Sequence, residues 1–117
     1  MARLDVTERA VQGVPVLGLS GSLDVDTAPE LRRRLLAHTR QQAAPLVLDL
    51  SGLEFMDTGG LATLIEAELR AREQGGGLVV FGLTSRALDV FEMAKVESMF
   101  TIVEDEEAAA KAATRPR

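Results

Sequence analysis

The stretch Phe55-Met-Asp-Thr-Gly-Gly-Leu-Ala-Thr-Leu-Ile65 gathers an acid, a hydroxyl and two glycines where an apolar run gives way to a helical pattern. Asp57 or Thr58 can accept hydrogen bonds from the first free N–H groups of a helix, the common use of such residues at that place. The glycines fit a plain cap poorly, because Gly within a helix costs about 1 kcal/mol relative to Ala. Two of them in a first turn imply that something approaches the backbone closely or that the turn must bend. The same geometry suits a phosphoryl acceptor. A hydroxyl at a helix N-terminus sets a phosphate against free N–H groups and the positive end of the dipole. A phosphate adds about −1.5 to −2 charges at pH 7, enough to break an apolar or acidic interface, and Asp57 would sharpen the repulsion. Thr58 is thus either a fixed residue of a helix start or a switch on a binding surface.

Other chemistry is scarce. There is no Cys, and the single histidine, His38, falls mid-helix among polar neighbours, where a solvent-facing or half-buried filler is expected. No His/Cys cluster has transition-metal spacing. Asp24 and Asp26 could approach a hard cation, but no third or fourth acidic ligand follows, so they more simply shape the entry to a helix. Gly18-Leu-Ser-Gly21 and Gly75-Gly-Gly77 match neither G-x-G-x-x-G nor the P-loop, and no Lys follows at the needed offset. The second also follows a helix, the wrong end of the dipole for an anion. With no nucleophile–base pair and no cofactor or metal signature, the reading is a binding protein and not an enzyme.

The elements that must position these residues alternate. Leu4–Arg9 and Val14–Leu19 read as strands around a turn at Gln12-Gly13, an opening hairpin. The segment from Gly21 to Asp26 reads as a loop before a helix, with Thr27 and Glu30 at capping-box spacing and Pro29 in the tolerated first turn. Ala28, Leu31, Leu35 and Leu36 share a helical face. Pro45–Leu50 is an almost continuously apolar run, as expected of a central strand covered on both sides. Helical spacing resumes at Leu61, Leu64, Ile65 and Leu69 and stops at Gly75-Gly-Gly77, where a glycine can take the left-handed conformation. Leu78–Phe81 is a second buried strand. Thr84 or Ser85 can cap a helix carrying Ala87, Leu88, Phe91 and Ala94. Phe100–Val103 and the alanine-rich stretch from Glu104 to Ala113 complete the pattern as a short strand and a terminal helix. The order predicts an α/β fold, a mixed sheet of four to five strands with an N-terminal hairpin and about four helices. One domain over 1–113 with a frayed tail at 114–117 is expected.

Composition narrows the class. A chain of 117 residues, 46% apolar, is long enough to bury a core. Its net charge of −5 argues against nucleic acid, which needs a basic face; Arg32-Arg33-Arg34 is one local exception, expected to point mostly to solvent. Four Phe with no Tyr or Trp leave little to stack on bases. No window approaches the roughly 18 consecutive apolar residues of a membrane span. The start, Met1-Ala2-Arg3-Leu4-Asp5, carries no long apolar segment of secretory type. Without cysteine there is no disulfide framework, and a cytoplasmic protein is the expectation.

Three segments together resemble the STAS domain family, in particular its small bacterial anti-sigma factor antagonists. They are "LVLDLSGLEFMDTGGLATLI" at 46–65, "LSGSLDVDTAPELRRRL" at 19–35 and "GGGLVVFGLTSRALDVFEMAKVESMF" at 75–100. The first is similar to the family's Asp-Ser-(Ser/Thr)-Gly-Leu signature with its strand and helix, the second to its Gly-x-Leu-Asp-x-x-Thr-Ala segment. The resemblance runs from about residue 3 to 106 and implies a STAS-like domain that binds an anti-sigma factor with serine/threonine kinase activity, so releasing a sigma factor. It implies phosphorylation of Thr58 as the off-switch, Asp57 as the signature acid, Asp24 as the loop acid at the partner, and a protein phosphatase that restores binding. The implied surface joins Asp24, Asp57, Thr58, Gly59 and Gly60 with Ala62 and Thr63 at the start of the helix, on a monomer or weak dimer. Thr58 replaces the family's usual Ser, and Gly59 replaces its second hydroxyl residue. The alternative is an unswitched STAS adaptor subunit of a lipid-transport ATPase or signalling complex.

Overall fold

The computed structural model describes residues 3–41 and 45–114. Its elements run β1 (Leu4–Val11), β2 (Val14–Leu23), α1 (Ala28–Gln41), β3 (Leu46–Met56), α2 (Thr58–Glu73), β4 (Leu78–Phe81), α3 (Ser85–Met93), a 3₁₀ turn (Glu97–Met99), β5 (Thr101–Val103) and α4 (Glu106–Thr114). The sheet has five strands in the order β1-β2-β3-β4-β5. The hairpin β1/β2 is antiparallel, and every later pairing is parallel. The expected mixed sheet with an opening hairpin and four helices is what forms. Of the expected frayed tail, Thr114 closes α4 and 115–117 lie outside the described residues.

Two apolar layers hold the sheet. On one side Leu17, Leu19, Leu48, Leu50 and Val80 meet Leu31 and Leu35 of α1, Leu61 and Leu64 of α2, and Phe91 of α3. Phe91 meets Phe100 edge-to-face, with ring centroids 5.1 Å apart. On the other side Val14, Val16, Val47, Val79 and Phe81 lie under Ala109 and Ala113 of α4. All four residues of β4 are buried, since this strand is covered on both faces.

Several boundaries, caps and faces differ from expectation. β2 does not stop at Leu19, and β3 does not stop at Leu50. Their parallel pairing continues through Ser20↔Gly52, Gly21↔Leu53, Ser22↔Phe55 and Leu23↔Met56, across two register shifts. Thr27 and Glu30 form no capping box among the described residues. The Thr27 hydroxyl donates instead to Ser22 O at 2.9 Å and accepts from the Asp24 N–H, while Glu30 pairs with Arg33. Leu69 is exposed, because α2 turns Gly60, Leu64, Ala67 and Ala71 inward, a face one step away from Leu69. Leu88 is also exposed, and Ala94 lies past the end of α3 as its cap. The α2 stop is as expected: Gly75 has φ +84° and donates to Arg72 O at 3.0 Å.

The arginine run is only partly solvated. Arg32 grips Glu66 of α2 through Nε and Nη2, at 2.6 and 2.9 Å, and Arg34 reaches Glu8 at 3.0 Å and Val6 O at 3.3 Å. Glu66 is held below its ordinary value by that Arg32 fork, assisted by Arg70. These pairs tie α1 to α2 and to β1, and so fix the helix whose N-terminus borders the site.

Candidate partner-binding site

β2 and β3 end side by side, with Leu23 opposite Met56. The chain leaves β3 into α2 through Asp57, whose N–H donates to Leu23 O at 3.2 Å. Asp57 keeps extended backbone angles, and its Oδ1 accepts the Gly60 N–H at 2.8 Å, so the acid is the cap. Thr58 is thereby the first residue of α2, exposed, and among the described residues its hydroxyl has no hydrogen-bond partner. A group added to that oxygen would meet the unsatisfied end of the helix and the Asp57 carboxylate beside it.

The loop from β2 to α1 forms the other wall. Asp24 Oδ1 accepts the N–H groups of Asp26 and Thr27 at 2.9 and 3.0 Å, and Asp24 O accepts the Ala28 N–H at 2.8 Å. With the Thr27 hydroxyl donating to Ser22 O and accepting from the Asp24 N–H, this closes a hydrogen-bonded turn that leaves Val25 68% exposed at its tip. Asp24 and Asp26 thus shape the entry to α1. Among the described residues no three His, Cys, Asp or Glu side chains converge in a metal-ligating group.

The two walls touch at the glycines. A Cβ on Gly60 would lie 2.4 Å from Leu23 O, and a Cβ on Gly59 would lie 3.2 Å from Val25 Cβ. The close approach implied by two glycines in a first turn is therefore that of the β2–α1 loop itself. Asp24, Asp57 and Gly59 are half-buried here, and Thr58 and Ala62 are exposed. Two expected surface residues are buried. Gly60 is buried against Leu23, and Thr63, 8% exposed, points with Leu64 and Ala67 into the core. The reason is periodicity: Thr63 sits three residues after Gly60 and four before Ala67, within the buried stripe.

Two acids outside this surface, Asp49 and Glu68, are not legible as features in the sequence. Asp49, inside an apolar strand, accepts from the Ser51 hydroxyl at 2.6 Å, from the Ser51 N–H at 2.9 Å and from Arg9 Nη2 at 3.2 Å. Arg9 also pairs with Glu106, fastening α4 to the hairpin. Burial acts to raise the Asp49 carboxyl, but the Ser51 donors and Arg9 outweigh it and hold it below the usual value. Glu68, 2% exposed, accepts the Leu78 N–H at 2.9 Å and pairs with Arg72 at 2.8 Å. His38 is half-buried, as expected of a filler, and lines a cavity of about 570 Å³ with Glu8, Pro15, Leu17 and Arg34. Burial pushes its pKa down, against an opposing pull from Glu8.

Known proteins are similar to this chain in sequence and in fold. The anti-sigma-B factor antagonist of Listeria monocytogenes is 26% identical over 99 residues, spanning 85% of this chain and 86% of that protein. An anti-sigma factor antagonist from Mycobacterium paratuberculosis superposes with a TM-score of 0.86 at 23% identity, over 97% of this chain and 96% of the other. SpoIIAA, an anti-sigma factor antagonist, is similar in its unphosphorylated form with a TM-score of 0.78 at 17% identity, over 97% of this chain and 100% of the other. Its phosphorylated form gives 0.69 at 17% identity, over 98% and 100%. No helix among the described residues is long and apolar enough to cross a membrane. The family model described as "Mlab, STAS domain" matches residues 6–104, and the chain belongs to the STAS domain family.

Proposed function

We propose that this protein is an anti-sigma factor antagonist that binds a kinase-type anti-sigma factor and is switched off by phosphorylation of Thr58. The observation that carries the reading is the placement of Thr58: an exposed hydroxyl, without a partner among the described residues, at the first position of α2, beside an Asp57 that already serves as cap. The anti-sigma factor antagonists similar in sequence and fold support it. In the switching step the γ-phosphoryl of ATP passes to Thr58 Oγ1, ADP leaves and the hydroxyl proton goes to the kinase, so this chain is the substrate. The phosphate brings about −1.5 to −2 charges beside the Asp57 carboxylate, so that two anions crowd one helix end in the middle of the contact surface. A phosphatase that removes it restores binding. The surface comprises Asp24, Asp57, Thr58, Gly59 and Ala62, with Gly60 and Thr63 shaping it from beneath. The test is incubation with ATP and the anti-sigma kinase, followed by mapping of phosphate by mass spectrometry. Phosphate on Thr58, lost in Thr58→Ala, supports the reading; full modification of Thr58→Ala sinks it.

A second reading, an unswitched adaptor subunit of a lipid-transport ATPase or signalling complex, is favoured by Gly59, which leaves Thr58 without a neighbouring hydroxyl. Co-purification with a membrane ATPase, together with indifference to Thr58→Glu, would select it.

A further inference from the structure

We propose that Val25 is the apolar anchor by which this chain engages its anti-sigma partner, and that Gly59 is glycine so that Val25 can sit there; this rests on the reading of Thr58 given above. Val25, Phe55, Leu69, Leu88 and Met93 are large apolar side chains left exposed. Scattered exposure of that kind is ordinary by itself. Val25 is set apart by two features. Its backbone is fixed on both sides, by Asp24 Oδ1 on the N–H groups of Asp26 and Thr27 and by the Thr27 hydroxyl on Ser22 O. A side chain held out by a preformed turn loses little freedom when it is bound, which is how a small anchor acquires weight in an interface. Its contact is with the residue next to Thr58: a Cβ at Gly59 would lie 3.2 Å from Val25 Cβ and 3.4 Å from its Cα.

The two glycines therefore do different things. Gly60 faces the Leu23 backbone, which cannot retreat, whereas Gly59 faces Val25, whose outer side is open to water. A methyl group at 59 would meet Val25 Cβ at 3.2 Å and Asp57 Oδ1 at 3.3 Å, so the hydrogen-bonded turn need shift only by about a few tenths of an ångström toward its open side, with little harm to the fold. The loss would fall on recognition. Seen this way, the absence of a second hydroxyl after Thr58 makes room for an aliphatic contact.

The occupant is an anti-sigma factor surface with an apolar socket for Val25 and hydrogen-bond donors at its rim. Charge complementarity argues for the donors, because the carboxylates of Asp24 and Asp26 flank Val25 directly in sequence. With those donors engaged, a phosphate on Thr58 would have to be dehydrated against the socket with no partner, which is unfavourable.

The experiment measures binding of the purified kinase-type anti-sigma factors encoded in the same genome, with ADP, to wild type, Thr58→Asp, Val25→Ala, Val25→Ile, Gly59→Ala and the Val25→Ala/Gly59→Ala double variant. Thermal unfolding of each checks the fold. Val25→Ala and Gly59→Ala should each bind about tenfold more weakly, as truncation of an anchor does, without melting lower. Val25→Ile should retain binding, and the double variant should bind no worse than Val25→Ala. Val25→Ala binding like wild type, while Thr58→Asp fails to bind, would overturn the anchor and leave the switch standing. Additive losses in the double variant would overturn the seating role of Gly59. Failure of wild type to bind any of these kinases would overturn the anchor and the function together.

Discussion

Gly60 sits against Leu23 so closely that a Cβ on it would lie 2.4 Å from the Leu23 carbonyl oxygen, 2.7 Å from Leu23 Cγ and 2.8 Å from its carbonyl carbon. The same carbonyl accepts the Asp57 N–H at 3.2 Å. One strand end thus sets the height of the α2 N-terminus and with it the position of Thr58. Gly60→Ala should therefore destabilise the fold by about 1–3 kcal/mol, the usual range for overpacking. Gly59→Ala should change stability by less than about 1 kcal/mol, because Val25 can yield and Ala is the better helix former. Urea unfolding of both variants compares them; equal losses would contradict this division of roles.

Glu68 bridges the far end of α2 to the first residue of β4. Glu68→Ala leaves the buried Leu78 N–H without its acceptor and should cost about 1–3 kcal/mol. Glu68→Gln keeps an acceptor and loses only the charge shared with Arg72, so its loss should be smaller. Unfolding midpoints read the order of the two, and a Gln variant as unstable as Ala would show that the charge dominates.

His38 gives the protein a pH dependence of known sign. Burial lowers its pKa, and its Nε2 is shielded from solvent with no hydrogen-bond partner among the described residues. Glu8 faces it from β1, and Arg34 stands one helical turn before it in the same cavity. Between its folded value and the unfolded value of about 6.5, the unfolded chain binds more protons. Stability should therefore fall as pH drops through about 6.5 and stop falling, for this group, below the folded value. His38→Leu should flatten that slope in urea titrations between neutral and mildly acidic pH; parallel slopes would contradict it.

Asp49 acts in a lower window. Its carboxyl is held below its ordinary value, so its contribution is complete above about pH 3.9 and is lost as pH falls through the folded value. Asp49→Asn should remove that acid-limb loss, as followed by circular dichroism, while the slope at neutral pH remains. An unchanged acid limb would show that Asp49 does not set it.

The sequence carried the class of the fold because its strongest signals, the apolar runs of β3 and β4 and the stops at Gly13 and Gly75, are local. The pairing of Ser20–Leu23 with Gly52–Met56 was not legible. Gly21, Ser22 and Gly52 have weak strand preference, and the parallel partner at each step is distant in sequence. The site was legible as Asp57 and Thr58, whose types announce a helix start. Its depth was not, because neither Ala62 nor Thr63 has a type that fixes its side of the helix and only the phase of the buried stripe separates surface from core. Glu68 and Asp49 were not legible because a lone acid reads as a solvated position, whereas here Glu68 satisfies the buried Leu78 N–H and Asp49 gathers the donors of Ser51 and Arg9. Val25 was equally hidden. Its significance lies in its contact with Gly59, 34 positions on in the numbering of the chain.

A switch at Thr58 is read from the affinity of the anti-sigma kinase for this protein before and after stoichiometric phosphorylation. The phosphorylated wild type should bind at least about 100-fold more weakly, the scale on which a buried, unpaired charge disrupts a contact. Phosphatase treatment should restore the original affinity, and Thr58→Ala should stay bound in the presence of ATP. Equal affinity of the two forms, with phosphate mapped to Thr58, would contradict the switch.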